Sequence, residues 1–242
     1  MGTPAVAEKL VSFGRSLSEA ERDQLKFAFS KVAVESLDGT FDYPAEPARR
    51  TALDKSLNLL RLIQPYSDRL PGDGAAYFGR PAFMTDEILD ALSRESVAMR
   101  PLASRLFDQM IVRVDNPTDT ALCERFASSE DLFGLVTEHA GACSRSFVTS
   151  YIYYDVAGDC SQPHVDNAFT ALTAMVSLKT PPGFRPPRSS ATRLYFPGGK
   201  AVDYHLEPGQ ILLFPGCCIL HGRTPVSEGE AVSSLLTSFR PA

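Results

Sequence analysis

A chain of 242 residues, 44% of them hydrophobic, is long enough to bury one sizeable core, as one domain or as a core with a helical elaboration. Its formal net charge is −5 and its basic residues are scattered, which argues against a nucleic-acid surface. With no apolar run of the ~18 residues a membrane span needs, no signal-peptide pattern at the N-terminus, and five cysteines (Cys123, Cys143, Cys160, Cys217 and Cys218) that read as reduced thiols, a cytoplasmic protein without a membrane partner is expected.

Up to about residue 145 the patterns are mainly helical. Ser18 and Glu21 stand at capping-box spacing, ahead of an apolar face built from Leu25, Phe27, Phe29, Val32 and Val34. A second helix is expected over 47–63, where Leu53, Leu57, Leu60 and Ile63 recur at helical spacing. Residues 66–83 read as loop, with turn residues at Pro71-Gly72 and Gly74. Thr85 or Asp86 can cap a third helix carrying Ile88, Leu89 and Leu92, which Pro101 ends. A weaker helical stretch covers 117–134. His139 falls near a helix end and His205 on a strand, and both read as structural.

After residue 145 the texture changes to short strands at close spacing. They are expected near 146–155, 168–179, 192–196, 201–206, 210–214, 217–223 and 231–239. Turns fall at Pro208-Gly209 and Pro215-Gly216. Antiparallel strands in this number fit an α+β protein: a double-stranded β-helix (jelly-roll or cupin-like) core over 146–242, with a mainly helical elaboration, residues 1–145, packed outside it. The Pro/Arg/Ser-rich segment 181–190 is too long for a turn, and reads either as an active-site lid or as a disordered insertion.

The chemistry concentrates in His164-Val165-Asp166 and His221. Side chains on an extended segment repeat every second residue, so His164 and Asp166 point the same way. A third ligand then has to come from a strand adjacent in space but distant in sequence, and His221 lies on such a strand. Two imidazoles and one carboxylate form the ligand set of a facial iron site, which leaves positions open for a co-substrate and dioxygen.

The wider pattern runs from Tyr154 and Gly158 through His164 and Asp166 to Glu207-Pro208-Gly209, Phe214-Pro215, Leu220-His221 and Thr224-Pro225-Val226. It resembles the Fe(II)/2-oxoglutarate-dependent dioxygenases, and within them the prolyl-hydroxylase-like branch, over roughly residues 146–242. The resemblance implies that His164, Asp166 and His221 hold Fe(II), and that 2-oxoglutarate and O2 are consumed to give succinate and CO2 as a substrate C–H bond is oxidised. It also implies hydroxylation, desaturation or a related oxidation rather than halogenation, because halogenating relatives replace the carboxylate ligand by a small residue.

The family usually carries a cation for the distal carboxylate of 2-oxoglutarate on its last strand, followed by a serine. Here those positions are Ala231 and Ser233: the serine matches and the cation is missing. Arg223, two residues beyond His221, and Arg193, on the 192–196 strand, are the substitutes. One tyrosine is expected to hydrogen-bond the co-substrate. Tyr151 and Tyr153 share one strand face and Tyr154 takes the other.

By analogy the substrate is a small metabolite, such as an amino acid or natural-product intermediate, with Asn167, Arg185, Arg188, Tyr77 and Arg80 as candidate contacts and a monomer or homodimer as the working unit. Two other readings stay open: an iron oxygenase of the same fold that does not use 2-oxoglutarate, and a non-catalytic cupin-like binding protein. Succinate release from 2-oxoglutarate separates the first two, and iron titration tests the third.

Overall fold

A computed structural model describes residues 4–72, 74–106, 111–115, 121–167, 170–187 and 189–242. The first half opens with three helices, α1 (Pro4–Ser16), α2 (Glu19–Leu37) and α3 (Pro47–Leu62). The capping box forms: the Ser18 side chain accepts from the Glu21 backbone N–H, and the Glu21 carboxylate accepts from the Ser18 N–H at 2.8 Å. Leu53, Leu57 and Leu60 lie on the buried side of α3 and, with Ala33 and Leu37 of α2, pack on Tyr195 and Leu220.

Strand β1 (Tyr77–Gly79) and helix α4 (Asp86–Met99) follow, the helix capped by the Thr85 side chain. The chain turns through a short 3-10 segment at Pro101 into β2 (Ser104–Leu106) and β3 (Ile111–Asp115). Helices α5 (Leu122–Ala127) and α6 (Glu130–Ala140) close this half. Glu95 of α4 accepts the Leu122 and Cys123 N–H groups at 2.6 and 2.9 Å, so a carboxylate from one helix caps the next.

The second half is β4 (Cys143–Tyr154), β5 (Ser161–His164), β6 (Leu172–Ser177), β7 (Thr192–Phe196), β8 (Lys200–Tyr204), β9 (Ile211–Phe214), β10 (His221–Arg223) and β11 (Val232–Pro241). They form two antiparallel sheets: seven strands in the order β1-β9-β6-β11-β4-β3-β2, and four in the order β5-β10-β7-β8. The helical half is therefore not only an outer layer, because it supplies β1, β2 and β3 to the larger sheet. The short strand β5 goes unannounced in sequence, since Ser161-Gln162-Pro163-His164 has none of the β-branched enrichment that marks its neighbours.

The pleat divides the larger sheet into two faces. Tyr151, Tyr153, Ala174, Val176, Leu213 and Leu235 face a core shared with α4, α5 and α6. Ser150, Ile152, Tyr154, Thr173, Met175 and Leu236, at the alternate positions, line a cavity between the sheets. Among the described residues no helix is long and apolar enough to cross a membrane. The described part of 181–190 takes no part in lining that cavity; Arg185 bridges to Glu230, and Ser189 contacts Ser227 at 2.7 Å, tying the segment to the 227–230 turn.

Candidate metal centre

His221 opens β10 and stands directly across from His164, the last residue of β5, in the antiparallel register. The pairing that sequence spacing could not supply is thus made by two adjacent strands of the smaller sheet, with the imidazole centroids 4.4 Å apart. Asp166 follows β5. Its Oδ1 lies 3.7 Å from Nε2 of His164 and 3.7 Å from Nε2 of His221. This is the one group of three or more His, Cys, Asp or Glu ligands found among the described residues, with all three ligand atoms within 4.8 Å of one another.

The donor set fits a metal ion. Ligand atoms ~2.1 Å from one ion stand roughly 3 Å apart when mutually perpendicular, so a small inward adjustment suffices. Both imidazoles are oriented from behind. His164 Nδ1–H donates to the Gln162 carbonyl at 2.7 Å, and His221 Nδ1–H donates to the Ile219 carbonyl at 2.8 Å. Each bond leaves the Nε2 lone pair turned toward Asp166. Burial pushes the His221 imidazole down to about 4, and repulsion from His164 adds to this against the pull of Asp166. At neutral pH it is therefore the uncharged form a metal requires.

That depression has a sign. The unfolded chain protonates His221 near pH 6.5, whereas the folded chain resists until about pH 4. Folding stability of the metal-free protein is present above pH 6.5 and is lost as pH falls toward 4, by a few kcal/mol at most. Urea unfolding at pH 7.5, 5.5 and 4.5 should show wild type losing more stability than His221→Asn over this range. Parallel curves would remove His221 as the cause.

Asp166 is held on three sides. Its N–H donates to the Gly216 carbonyl at 2.9 Å, and its Oδ2 accepts from the Thr173 hydroxyl at 2.6 Å. A Cβ built on Gly216 would stand 2.1 Å from Oδ2. Neither Thr173 nor this close approach is visible in sequence; the only signal was a Pro-Gly pair that reads as an ordinary turn.

Arg223 lines the same cavity between the sheets. It is only 5% exposed, and its guanidinium lies 5.3 Å from the Tyr154 ring centroid. Its Nε and Nη1 have no hydrogen-bond partner among the described residues. Burial lowers its pKa. A desolvated guanidinium with two nitrogens lacking an acceptor is costly unless an anion completes it.

Several of the residues expected at the site lie elsewhere in the structure. Arg193 pairs in register with Gly222, whereas Arg223 pairs with Thr192. Cross-strand partners share a face, so Arg193 points out of the cavity. There it holds Asp203 at 2.6 and 2.8 Å and the Phe41 carbonyl at 2.8 Å. Tyr151 and Tyr153 face the helices, donating to Glu95 and to the Ser96 carbonyl at 2.7 and 2.8 Å. Ser233 pairs with Tyr153 and shares its outward face. Tyr154 is the tyrosine that lines the cavity.

Among the substrate candidates, Asn167 does line the cavity, its Oδ1 accepting from the Thr170 N–H at 3.1 Å. Tyr77 instead packs on His139, Arg80 holds Asp86 at 2.6 Å, and Arg185 donates to the Glu228 carbonyl. None of these three lines the cavity. Arg188 lies outside the described residues.

No protein-family model matches this sequence, and no curated protein matches it either. Solved structures do share the fold. A prolyl-4-hydroxylase from Pseudomonas putida aligns with a TM-score of 0.55 at 16% identity, over 68% of this chain and 92% of that one. SnoN, a non-heme alpha-ketoglutarate-dependent epimerase from nogalamycin biosynthesis, aligns with a TM-score of 0.59 at 18% identity, over 78% and 84% of the two chains. AviO1 from Streptomyces viridochromogenes gives a TM-score of 0.54 at 14% identity, over 72% and 92%. SnoN has also been solved with Fe3+ and alpha-ketoglutarate.

Proposed function

The chain has the fold of Fe(II)/2-oxoglutarate-dependent oxygenases, and we propose that it is one of them, oxidising a C–H bond of a small molecule by hydroxylation, desaturation or a related reaction. The two sheets are then a double-stranded β-helix, with the metal at one end of the cavity between them. His164, Asp166 and His221 would hold Fe(II). Iron, 2-oxoglutarate and O2 together supply the oxidising power, releasing succinate and CO2.

The observation that carries this reading is Arg223. A buried guanidinium, two of whose nitrogens have no hydrogen-bond partner among the described residues, shares the cavity with the His-Asp-His group and is suited to the distal carboxylate of 2-oxoglutarate. The cation that Ala231 lacks would thus come from the strand that bears His221. Burial pushes the Tyr154 hydroxyl up to about 12, so it stays protonated as a donor beside the same anion. The wall of this cavity of ≈ 500 Å3 also mixes Ile152, Met175, Phe214 and Leu236 with Arg113, Ser150, Asn167 and Thr170. That mixed lining supports a small, partly apolar substrate. A carboxylate ligand at Asp166 supports oxidation without halide.

Replacing Arg223 by Met tests the co-substrate assignment. Loss of a charge-assisted bond worth about 2–3 kcal/mol predicts 2-oxoglutarate binding weaker by roughly 30- to 150-fold, measured anaerobically on the Fe(II)-loaded protein. The same substitution should raise the melting temperature of the metal-free protein by several degrees, since it removes a buried charge. Unchanged 2-oxoglutarate affinity would eliminate Arg223 from the role. Absence of succinate formation by wild type with Fe(II), 2-oxoglutarate, air and a broad panel of small metabolites would favour the reading without 2-oxoglutarate.

A further inference from the structure

We infer that Thr173 is a positioning residue that keeps Asp166 a one-oxygen ligand, an inference that rests on the iron site proposed above. A carboxylate can offer a metal one oxygen or both. The second mode would consume a coordination position that a co-substrate and O2 require. Here the two oxygens are in different surroundings. Oδ1 faces both Nε2 atoms at 3.7 Å, whereas Oδ2 is turned away into a slot.

The slot has two walls. On one side the Thr173 hydroxyl lies 2.6 Å from Oδ2 and 3.3 Å from the Thr170 carbonyl. Its single proton goes to the nearer and more basic acceptor. Thr173 is fully buried on β6, and its β-branched side chain has few rotamers, so the donor is fixed in place. On the other side is the Cα of Gly216, where a side chain would clash with both Oδ2 and the Thr173 hydroxyl, at 2.1 and 2.7 Å. The Asp166 N–H bond to the Gly216 carbonyl closes the arrangement. Rotation of the carboxylate toward two-oxygen ligation would break the Thr173 bond and leave a buried oxygen without a donor.

Valine matches threonine in shape and lacks the hydroxyl, so it separates hydrogen bonding from packing. Anaerobic Fe(II) titration of Thr173→Val should show affinity weaker by roughly 10- to 100-fold. The visible absorption of the Co(II)-loaded variant, which follows coordination number, should also differ from wild type. Thr173→Ser restores the hydroxyl and should return both readouts to near wild type. If the valine variant does not fold, Thr173→Ala serves in its place with the same expectation. Wild-type affinity and spectrum in the valine variant, or a serine variant as impaired as valine, overturns the role of Thr173. A folded wild-type protein that binds no Fe(II) instead overturns the iron site itself, and this role with it.

Discussion

Fe(II) binding is expected to fall by at least about a hundredfold when His164 is replaced by alanine, with little change in folding stability. The two halves of that expectation have different causes. Metal affinity depends on three donors converging, and removing one imidazole leaves an aspartate and a single histidine, too few to hold a ferrous ion against water. Stability depends on burial, and the His164 side chain is 39% exposed, whereas that of His221 is 7% exposed. Truncating His164 therefore leaves no closed cavity, and a change within about 1 kcal/mol follows. His221 packs edge-on against Phe214 at 4.7 Å, so its removal would disturb the core and confuse the two effects. Anaerobic iron titration beside a urea melt reads both quantities. Undiminished iron binding by the folded His164→Ala protein would dismantle the metal centre and leave a binding protein of the same fold.

Gly216→Ala is the second large effect, and it requires no change in any ligand. The glycine is not among the positive-φ residues, so backbone strain is not the reason for it. The reason is space: the new methyl would sit 2.1 Å from Asp166 Oδ2 and 2.7 Å from the Thr173 hydroxyl. No rotamer of alanine relieves this, and the Gly216 backbone is pinned by its N–H bond to the Phe214 carbonyl at 3.0 Å as well as by its bond from Asp166. Either the carboxylate leaves its position or the turn between β9 and β10 shifts. Both outcomes separate Asp166 from the histidines. We expect iron affinity at least about a hundredfold weaker and a loss of about 1–3 kcal/mol from overpacking. Wild-type iron binding by Gly216→Ala would mean that the turn yields at no cost to the ligand.

Much of the architecture was legible along the chain because it is set locally. Capping at Ser18 and Thr85, the Leu53-Leu57-Leu60 stripe and the strands at 192–196 and 211–214 each depend on residues a few positions apart. The His-x-Asp pair was legible as a local motif, but β5 ends at His164, so Asp166 takes its direction from the Gly216 carbonyl and the Thr173 hydroxyl rather than from strand period. The first-half strands β1, β2 and β3 were missed because they are short, and they exist only as additions to a sheet whose other members lie far along the chain.

Alternation alone says that Tyr151 and Tyr153 oppose Tyr154, and that Arg223 shares a face with His221. It cannot say which face meets the cavity. That was decided by register: Arg193 opposite Gly222, Ser233 opposite Tyr153, and His221 opposite His164. Sliding a strand by one residue exchanges its two faces, and register is fixed by packing against the helices on one side and the second sheet on the other. The candidate ligands could thus be named from the sequence, whereas the placement of His221 beside His164, the burial of Arg223, and the slot formed by Thr173 and Gly216 belonged to the tertiary structure. Those features are contacts between segments that only folding brings within bonding distance.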